Sequence, residues 1–167
     1  MLRYSTRGLE LEATFAPVDE LTLSFSGTWL DPVYDSFKLR EGVDGPVDLS
    51  GEQVPGVHEF SMNVSGIYSF SLGGTMSGFV RAAYIFDDEV PVVDNGLSSI
   101  APREVSTFNA SIGIEWGNGF EAMLWGRNIN DDDYLLSAFP SVAQEGSFSG
   151  YPNEPRTYGL TVTKRFQ

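Results

Sequence analysis

Apolar residues occupy every second position in seven segments of this chain. In residues 21–30, Leu23, Phe25 and Trp29 alternate with threonines and serines, so the polar set there consists of hydroxyl side chains alone. A period of two places successive side chains on opposite faces of a β-sheet. The pattern therefore predicts seven strands with one apolar and one small-polar face, at residues 8–16, 21–30, 58–70, 75–86, 105–116, 120–128 and 156–166.

Two of these predicted strands are less regular than the others. In residues 75–86, Phe79 and Ile85 have the opposite parity to the remaining large apolar residues. In residues 120–128, a polar face that contains Arg127 would also contain Trp125, because the two positions have the same parity. The alternation leaves the orientation of both strands open.

Connections between the predicted strands alternate between short and long. Short turns fall at residues 17–20, 71–74 and 117–119, and Gly-Asn-Gly at 117–119 is a strong hairpin signal. Long connections fall at 31–56, 87–103 and 129–154. Bacterial outer-membrane barrels have short periplasmic turns and long extracellular loops. The sequence therefore predicts an all-β protein that forms an antiparallel transmembrane β-barrel segment.

If the short turns face the periplasm and the long connections face the exterior, each aromatic residue of the apolar face has a predicted depth in the membrane. Aromatic rings are enriched where a membrane meets water, so a spanning sheet should carry one band at each interface. The pattern predicts an outer band of Trp29, Tyr84, Phe86 and Tyr158 and an inner band of Phe15, Tyr68, Phe70, Trp116 and Phe166.

Composition narrows the class further. No apolar run approaches the roughly 18 residues of a membrane-spanning helix, and the chain has no cysteine for a disulfide, a metal site or a thiol nucleophile. The net charge is −13, of which the long connections carry −12, and this acidity argues against a nucleic-acid partner. Residues 1–7 lack the apolar stretch of an export signal, so we expect the C-terminal part of a longer exported protein.

Several segments, in order along nearly the whole chain, resemble the closing part of TonB-dependent outer-membrane receptors. Segment 128–134, Asn-Ile-Asn-Asp-Asp-Asp-Tyr, is similar to the family's Asn-x-x-Asp-x-x-Tyr motif. Segment 155–166 is similar to the family's final strand, which begins Pro-Arg-Thr and ends in an aromatic residue. Segments 8–12, 21–23 and 54–58 also resemble earlier parts of the family's sequence. The matching motif positions are Asn128, Asp131, Tyr134, Pro155, Arg156 and Thr157.

The resemblance implies that residues 1–167 are the last seven strands of a 22-stranded barrel, without the plug domain and the N-terminal strands. It implies a transporter of the Gram-negative outer membrane, not an enzyme, that needs no cofactor and takes up a scarce nutrient, most often a ferric siderophore. The implied partners are membrane lipid, a small-molecule ligand, the TonB–ExbB–ExbD complex acting through the plug, and the barrel-assembly machinery. The implied assembly signal consists of Tyr158, Leu160, Val162 and Phe166.

Two other interpretations remain open. Seven strands are an odd number for a bacterial barrel, and residues 1–7 could supply an eighth strand to a complete small barrel with a structural or adhesive role. A soluble lipocalin-like or sandwich-type binding protein would instead bury the apolar face in a core. The asymmetry of turns and loops favours the receptor over the soluble protein.

Candidate ligand-binding residues are aromatic side chains at the bases of the long connections. They could contact a ligand or pack one connection against another. They are Tyr34, Phe37, Phe139, Phe148 and Tyr151.

Charged and titratable residues suggest structural roles. His58 is the only histidine, which argues against an imidazole pair for a metal or haem, and we expect a polar residue at the barrel rim. The acidic runs at 87–89 and 131–133 lack the Asp-x-Asp-x-Asp-Gly spacing of a calcium loop; we expect no metal site, and Asp131 is expected to turn the chain. Arg81 and Arg127 are expected to pair with wall carboxylates at Glu10, Glu12, Glu115 or Glu121, or to contact the plug.

Overall fold

A computed structural model gives the structure of the chain and describes residues 2–42, 45–92, 102–141, 143–144 and 147–166. Within those ranges no helix is long and apolar enough to cross a membrane. The described elements are β1 (Arg3–Val18), β2 (Leu21–Ser36), β3 (Lys38–Gly42), β4 (Gly45–Asp48), β5 (Phe60–Gly73), β6 (Met76–Pro91), β7 (Pro102–Glu115), β8 (Phe120–Arg127), β9 (Leu135–Pro140), β10 (Phe148–Pro152) and β11 (Thr157–Lys164).

Seven of these strands form one antiparallel sheet in the order β1-β2-β5-β6-β7-β8-β11. Two small hairpins, β3–β4 and β9–β10, lie within the first and third long connections. In the described part of the chain β1 and β11 do not pair with each other, so the sheet is open. The predicted all-β class and the seven antiparallel strands are confirmed.

The register joins the apolar positions into one continuous face. Paired residues of antiparallel strands point to the same side of a sheet. Val80 pairs with Ile112, Ile112 with Leu124, and Leu124 with Leu160, which makes one apolar row across four strands. The last three side chains of this row are half to two-thirds exposed. The large apolar residues of the sheet therefore face outward rather than into a core.

The register also decides the two ambiguous strands. Val80 and Tyr84 of β6 pair with Ile112 and Phe108, which places them on the apolar face and Phe79 on the opposite, polar face. In β8, Trp125 pairs with Ser111 and therefore lies on the polar face as well.

The strands extend further toward the long connections than the alternation predicts. Residues 31–36, predicted as loop, continue β2 and pair with residues 3–7. The possibility that residues 1–7 form an eighth strand is therefore wrong for residues 3–7, which lengthen β1 instead. The sequence misses this extension because a backbone ladder requires no alternation of side chains.

Few apolar side chains are buried. The described residues with buried apolar side chains are Pro32, Tyr34, Phe79, Val90 and Val105. Phe79 lies on the polar face, and the other four lie in the parts of strands that lead into long connections. No enclosed core underlies the apolar face in the described structure.

Candidate functional site

The long connections all leave the sheet at one end, because consecutive strands are antiparallel and adjacent. This loop end comprises the described parts of residues 31–60, 86–106 and 127–157. Ligand-binding and catalytic residues are found disproportionately on loops held by a rigid scaffold. The sequence candidates for ligand binding and the motif 128–134 lie here, so the loop end is the candidate site.

Asn128 organises the start of the third connection. Its side chain is 4% exposed, donates to the backbone oxygens of Asp132 (2.9 Å) and Glu154 (3.1 Å), and accepts from the backbone N–H of Asp132 at 2.8 Å. Its φ of 48° lies in the left-handed region, which asparagine tolerates better than most residues. Asn128 therefore turns the chain after β8 and ties both ends of the connection together.

The side-chain contacts of Asp131 differ from the expected role. Asp131 also has a positive φ, of 60°, but its carboxylate accepts from Arg156 at 3.0 Å. The side chain that turns the chain through its own hydrogen bonds is that of Asn128, three residues earlier. Arg156 also reaches the backbone oxygen of Ile129 at 3.5 Å. The Asp131–Arg156 pair is half-exposed and links the beginning and end of the third connection.

The residues after Asn128 continue the hydrogen bonding of β7 beyond the end of β8. Ile129 donates its backbone N–H to Phe108 at 2.8 Å, and Asn130 accepts the backbone N–H of Phe108 at 2.8 Å. The carboxylate of Asp132 accepts the backbone N–H of Ser106 at 2.7 Å. These polar side chains accept hydrogen bonds from backbone N–H groups of β7 that lie beyond the end of β8.

The remaining motif positions lie close by. Tyr134 is held through its backbone, which exchanges hydrogen bonds with Asn153. Pro155 is exposed, and Thr157 begins β11 opposite Arg127. The motif residues thus form the junction through which the third connection leaves and rejoins the sheet.

His58 lies between Asp88 and Arg103, and only 13% of its side chain is exposed. Its Nδ1 is 2.6 Å from the backbone oxygen of Asp88, and its Nε2 is 2.9 Å from the Arg103 guanidinium. Arginine can only donate, so Nε2 accepts and Nδ1 carries the proton donated to Asp88. His58 is therefore part of a part-buried hydrogen-bond network at the loop end.

This network joins all three long connections. The carboxylate of Asp88 accepts the backbone N–H of Phe60 at 3.0 Å, and Arg103 reaches the backbone oxygen of Leu136 in β9 at 3.4 Å. Sequence reasoning missed the network. Its only sequence signal is that His58 begins one predicted strand and Arg103 shortly precedes another, and β6 separates those strands.

Four of the five aromatic candidates form two ring pairs. Tyr34 is 7% exposed, and its ring lies 4.8 Å from that of Phe37, so these two pack within the first connection. Phe139 and Tyr151 face each other across the β9–β10 hairpin with ring centroids 5.9 Å apart, and they are 41% and 61% exposed. Phe148 pairs with Pro140 in the same hairpin. Among the aromatic candidates for ligand binding, the accessible surface therefore lies on β9–β10.

Several carboxylates of the loop end contact other groups of the protein, namely those of Asp35, Asp48, Asp88, Asp131 and Asp132. Among the described residues no group of three or more histidine, aspartate or glutamate side chains is placed to hold a metal ion. In the β3–β4 hairpin, the hydroxyl and backbone N–H of Ser50, with help from Lys38, lower the pKa of Asp48 to about 2. Asp48 thus remains a hydrogen-bond acceptor at every ordinary pH.

The charged residues on the polar face of the sheet form other ion pairs than those expected from the sequence. Glu115 and Glu121 both accept from Arg165, at 2.6 and 2.9 Å, close to the turn at 117–119. Arg81 and Arg127 make no ion pair with a carboxylate in the described residues, and each lies over an aromatic ring of its own strand. The expected pairing of these two arginines with wall carboxylates is therefore wrong.

The proposed assembly-signal residues lie on the outermost strand. Tyr158, Leu160 and Val162 of β11 are 64–69% exposed on the apolar face. Phe166 follows the strand and is 89% exposed. A strand that has one unpaired edge and is followed by an exposed aromatic residue offers both an edge and side chains to a binding partner.

Comparison of the chain with family models, with curated proteins and with solved structures finds no match.

Proposed function

We propose that this chain is the C-terminal part of the β-barrel of a TonB-dependent outer-membrane receptor. In this proposal the whole receptor takes up a scarce nutrient, with a ferric siderophore as the class we favour. The loop end faces the cell exterior, and the short turns face the periplasm. Transport is driven by the TonB–ExbB–ExbD complex acting on a plug domain outside this chain.

The observation that carries the proposal is the exposed apolar face. The chain has an accessible surface of 11,524 Å², whereas a compact monomer of its mass exposes about 8,100 Å². Soluble monomers rarely expose contiguous apolar patches above a few hundred Å², and here the patch crosses every strand of the main sheet. Such a face needs an apolar medium, and lipid supplies one.

Aromatic rings border this face at both ends. Near the loop end, Trp29, Phe60 and Phe86 lie in ring contact across three strands, with centroids 5.1 and 6.0 Å apart. Near the turn end, Tyr68 and Phe70 stack at 5.7 Å. Ten residue steps separate Phe60 from Phe70, which at about 3.3 Å per residue and a tilt of roughly 40° corresponds to about 25 Å. This height agrees with the apolar band of outer-membrane barrels.

The open edges of the sheet also support a larger barrel. A sheet in lipid cannot leave its edge N–H and C=O groups unpaired, so β1 and β11 both require further strands. A complete eight-stranded barrel has less support, since residues 3–7 belong to β1. A soluble binding protein has less support, since the apolar face is not packed into a core.

Whether the apolar face contacts lipid can be tested with single introduced cysteines, because the chain has no cysteine of its own. Leu160→Cys and Ile112→Cys place a fluorophore on the apolar face, and the neighbours Thr161→Cys and Ser111→Cys place it on the polar face. In vesicles with brominated acyl chains, the first pair should be strongly quenched and the second pair weakly. Equal quenching of both pairs would refute membrane insertion in this orientation.

Transport can be tested on the whole gene. Its deletion should slow growth when iron is limiting, and the complemented strain should recover only while the inner-membrane proton gradient is intact. Unchanged uptake of iron would exclude a ferric siderophore and direct the search to other nutrients.

A further inference from the structure

The His58 network, formed by His58, Asp88 and Arg103, places one titratable ring between an anion and a cation. His58 is the single histidine of the chain, and 13% of its side chain is exposed. Histidine is the side chain whose charge ordinarily changes between pH 5 and 8, whereas arginine stays positive. The contacts of this ring therefore determine how the loop end responds to pH.

The observed contacts require a neutral ring. Nε2 lies 2.9 Å from the Arg103 guanidinium, and it can bind this group only as an acceptor with a free lone pair. Nδ1 then carries the one proton of the ring and donates it to the backbone oxygen of Asp88 at 2.6 Å. Arg103, held by the ring, reaches the backbone oxygen of Leu136 at 3.4 Å through its other terminal nitrogen. The neutral ring thereby attaches the third connection to the first two.

A second proton on the ring is incompatible with the Arg103 contact. It would place an N–H on Nε2 opposite the N–H groups of Arg103, so two donors and two positive charges would meet at 2.9 Å. The hydrogen bond between the ring and Arg103 would then break. Because the ring is the only side chain that accepts from Arg103 in the described structure, the guanidinium would lose its anchor and its contact with Leu136.

The opposite side of the ring can receive the added charge. Asp88 Oδ1 lies 3.4 Å from Nδ1, is buried and has no hydrogen-bond partner among the described residues. The other carboxylate oxygen, Oδ2, accepts the backbone N–H of Phe60 at 3.0 Å, which holds the carboxylate in place. A neighbouring carboxylate favours the charged form of histidine. Protonation therefore exchanges the Arg103 contact for an ion pair with Asp88.

The charged surroundings of the ring are otherwise simple. Within the described ranges His58 forms an ion pair with Asp88 alone, and the third connection meets the network through an uncharged group, the backbone oxygen of Leu136. The other charged residues next to the network in the sequence form no ion pair with it in this part of the chain; they are Glu59, Asp87, Glu89 and Glu104. The response to pH therefore depends on one anion and one cation.

We propose that the His58 network is a pH-sensitive switch of the loop end. In a neutral or alkaline medium the neutral ring ties Arg103, and through it β9, to the first two connections. In a mildly acidic medium the charged ring pairs with Asp88 and releases Arg103 together with the third connection. The inference goes beyond the proposed function, because it concerns the loop end of this chain whatever medium the apolar face contacts.

The single histidine makes the first measurement direct. In the full chain in detergent micelles, nitrogen-15 labelling of histidine gives one pair of ring signals. At pH 8 the proton should lie on Nδ1, whereas free histidine favours Nε2, and at pH 5 both nitrogens should be protonated. Arg103→Gln should raise the pH at the midpoint of this transition, because it removes a cation. Asp88→Asn should lower it, because it removes an anion.

Hydrogen exchange of residues 135–140 measures the release of β9. After correction for the intrinsic effect of pH on exchange, this segment should exchange about tenfold faster at pH 5 than at pH 8, as loss of one charge-assisted hydrogen bond predicts. His58→Gln, which stays neutral, and Arg103→Gln, which has no cation to release, should each abolish this difference. Arg3→Gln removes a cation that pairs with Asp35 and serves as the matched control, with the difference unchanged. The strand signal in circular dichroism confirms that each variant is folded.

Three results would overturn the inference. One is a ring that carries its proton on Nε2 at pH 8 or stays neutral at pH 5. Another is a midpoint that Arg103→Gln and Asp88→Asn shift in the same direction or not at all. The third is a difference in exchange that is absent from the wild-type chain or survives in His58→Gln. Failure of the receptor proposal is separate, because it shows in the vesicle quenching experiment and leaves these measurements in micelles unaffected.

Discussion

Replacing Asn128 with alanine removes the side chain that holds the two ends of the third connection together. The change deletes three buried hydrogen bonds to Asp132 and Glu154, each of which contributes about 0.5–1.5 kcal/mol. It also places alanine at a φ of 48°, which costs about 1 kcal/mol more. We expect the free energy of unfolding to fall by about 3–5 kcal/mol.

Asn128→Gly separates the two contributions. Glycine loses the same hydrogen bonds but adopts a positive φ without strain, so its loss should be about 1 kcal/mol smaller than that of alanine. Asn63→Ala is the matched control, because Asn63 is exposed on the polar face and has no side-chain hydrogen bond within the described structure. Its effect should stay within about 0.5 kcal/mol.

The assay is urea unfolding in micelles followed by tryptophan fluorescence, together with limited proteolysis of residues 129–154. Trp125 lies three residues before Asn128 and reports on this junction. If Asn128→Ala lowers the unfolding free energy no more than Asn63→Ala and leaves the connection equally resistant to protease, the assigned role of Asn128 is refuted.

Two further predictions concern other local contacts. Gly159→Ala would press its Cβ against the Trp125 ring, so the ring must move; we expect a loss of about 1–3 kcal/mol and a shift in tryptophan emission, while Gly66→Ala, whose nearest neighbour would be a flexible leucine end at 3.0 Å, should show neither. Ser50→Ala removes the main cause of the low pKa of Asp48, so that pKa should rise from about 2 toward 3.8 in a carbon-13 NMR titration. Ser50→Thr keeps the hydroxyl and should keep the low value; an unchanged pKa in Ser50→Ala would contradict the assignment.

In the five regular strands, the face on which each residue lies could be read from the sequence by itself. The alternation around Phe25 and Ile112 identifies the apolar side because side-chain direction in a strand depends only on position parity. The short turns were found for a similar reason, since the Gly-Asn-Gly signal is local. Local chemistry also predicted a turn at Asp131, whereas Asn128 was named only as a position of the motif, and the side chain that makes the turn is that of Asn128.

Which residues meet across the molecule was decided by the tertiary structure. His58 and Arg103 lie 45 residues apart and come together only through the register of β5, β6 and β7. Arg165 pairs with Glu115 and Glu121 rather than leaving them to Arg81, because the C-terminal residues return to the turn at 117–119. A period of two fixes the direction of a side chain but carries no information on the neighbouring strand, so contacts between strands arise only when the sheet is assembled.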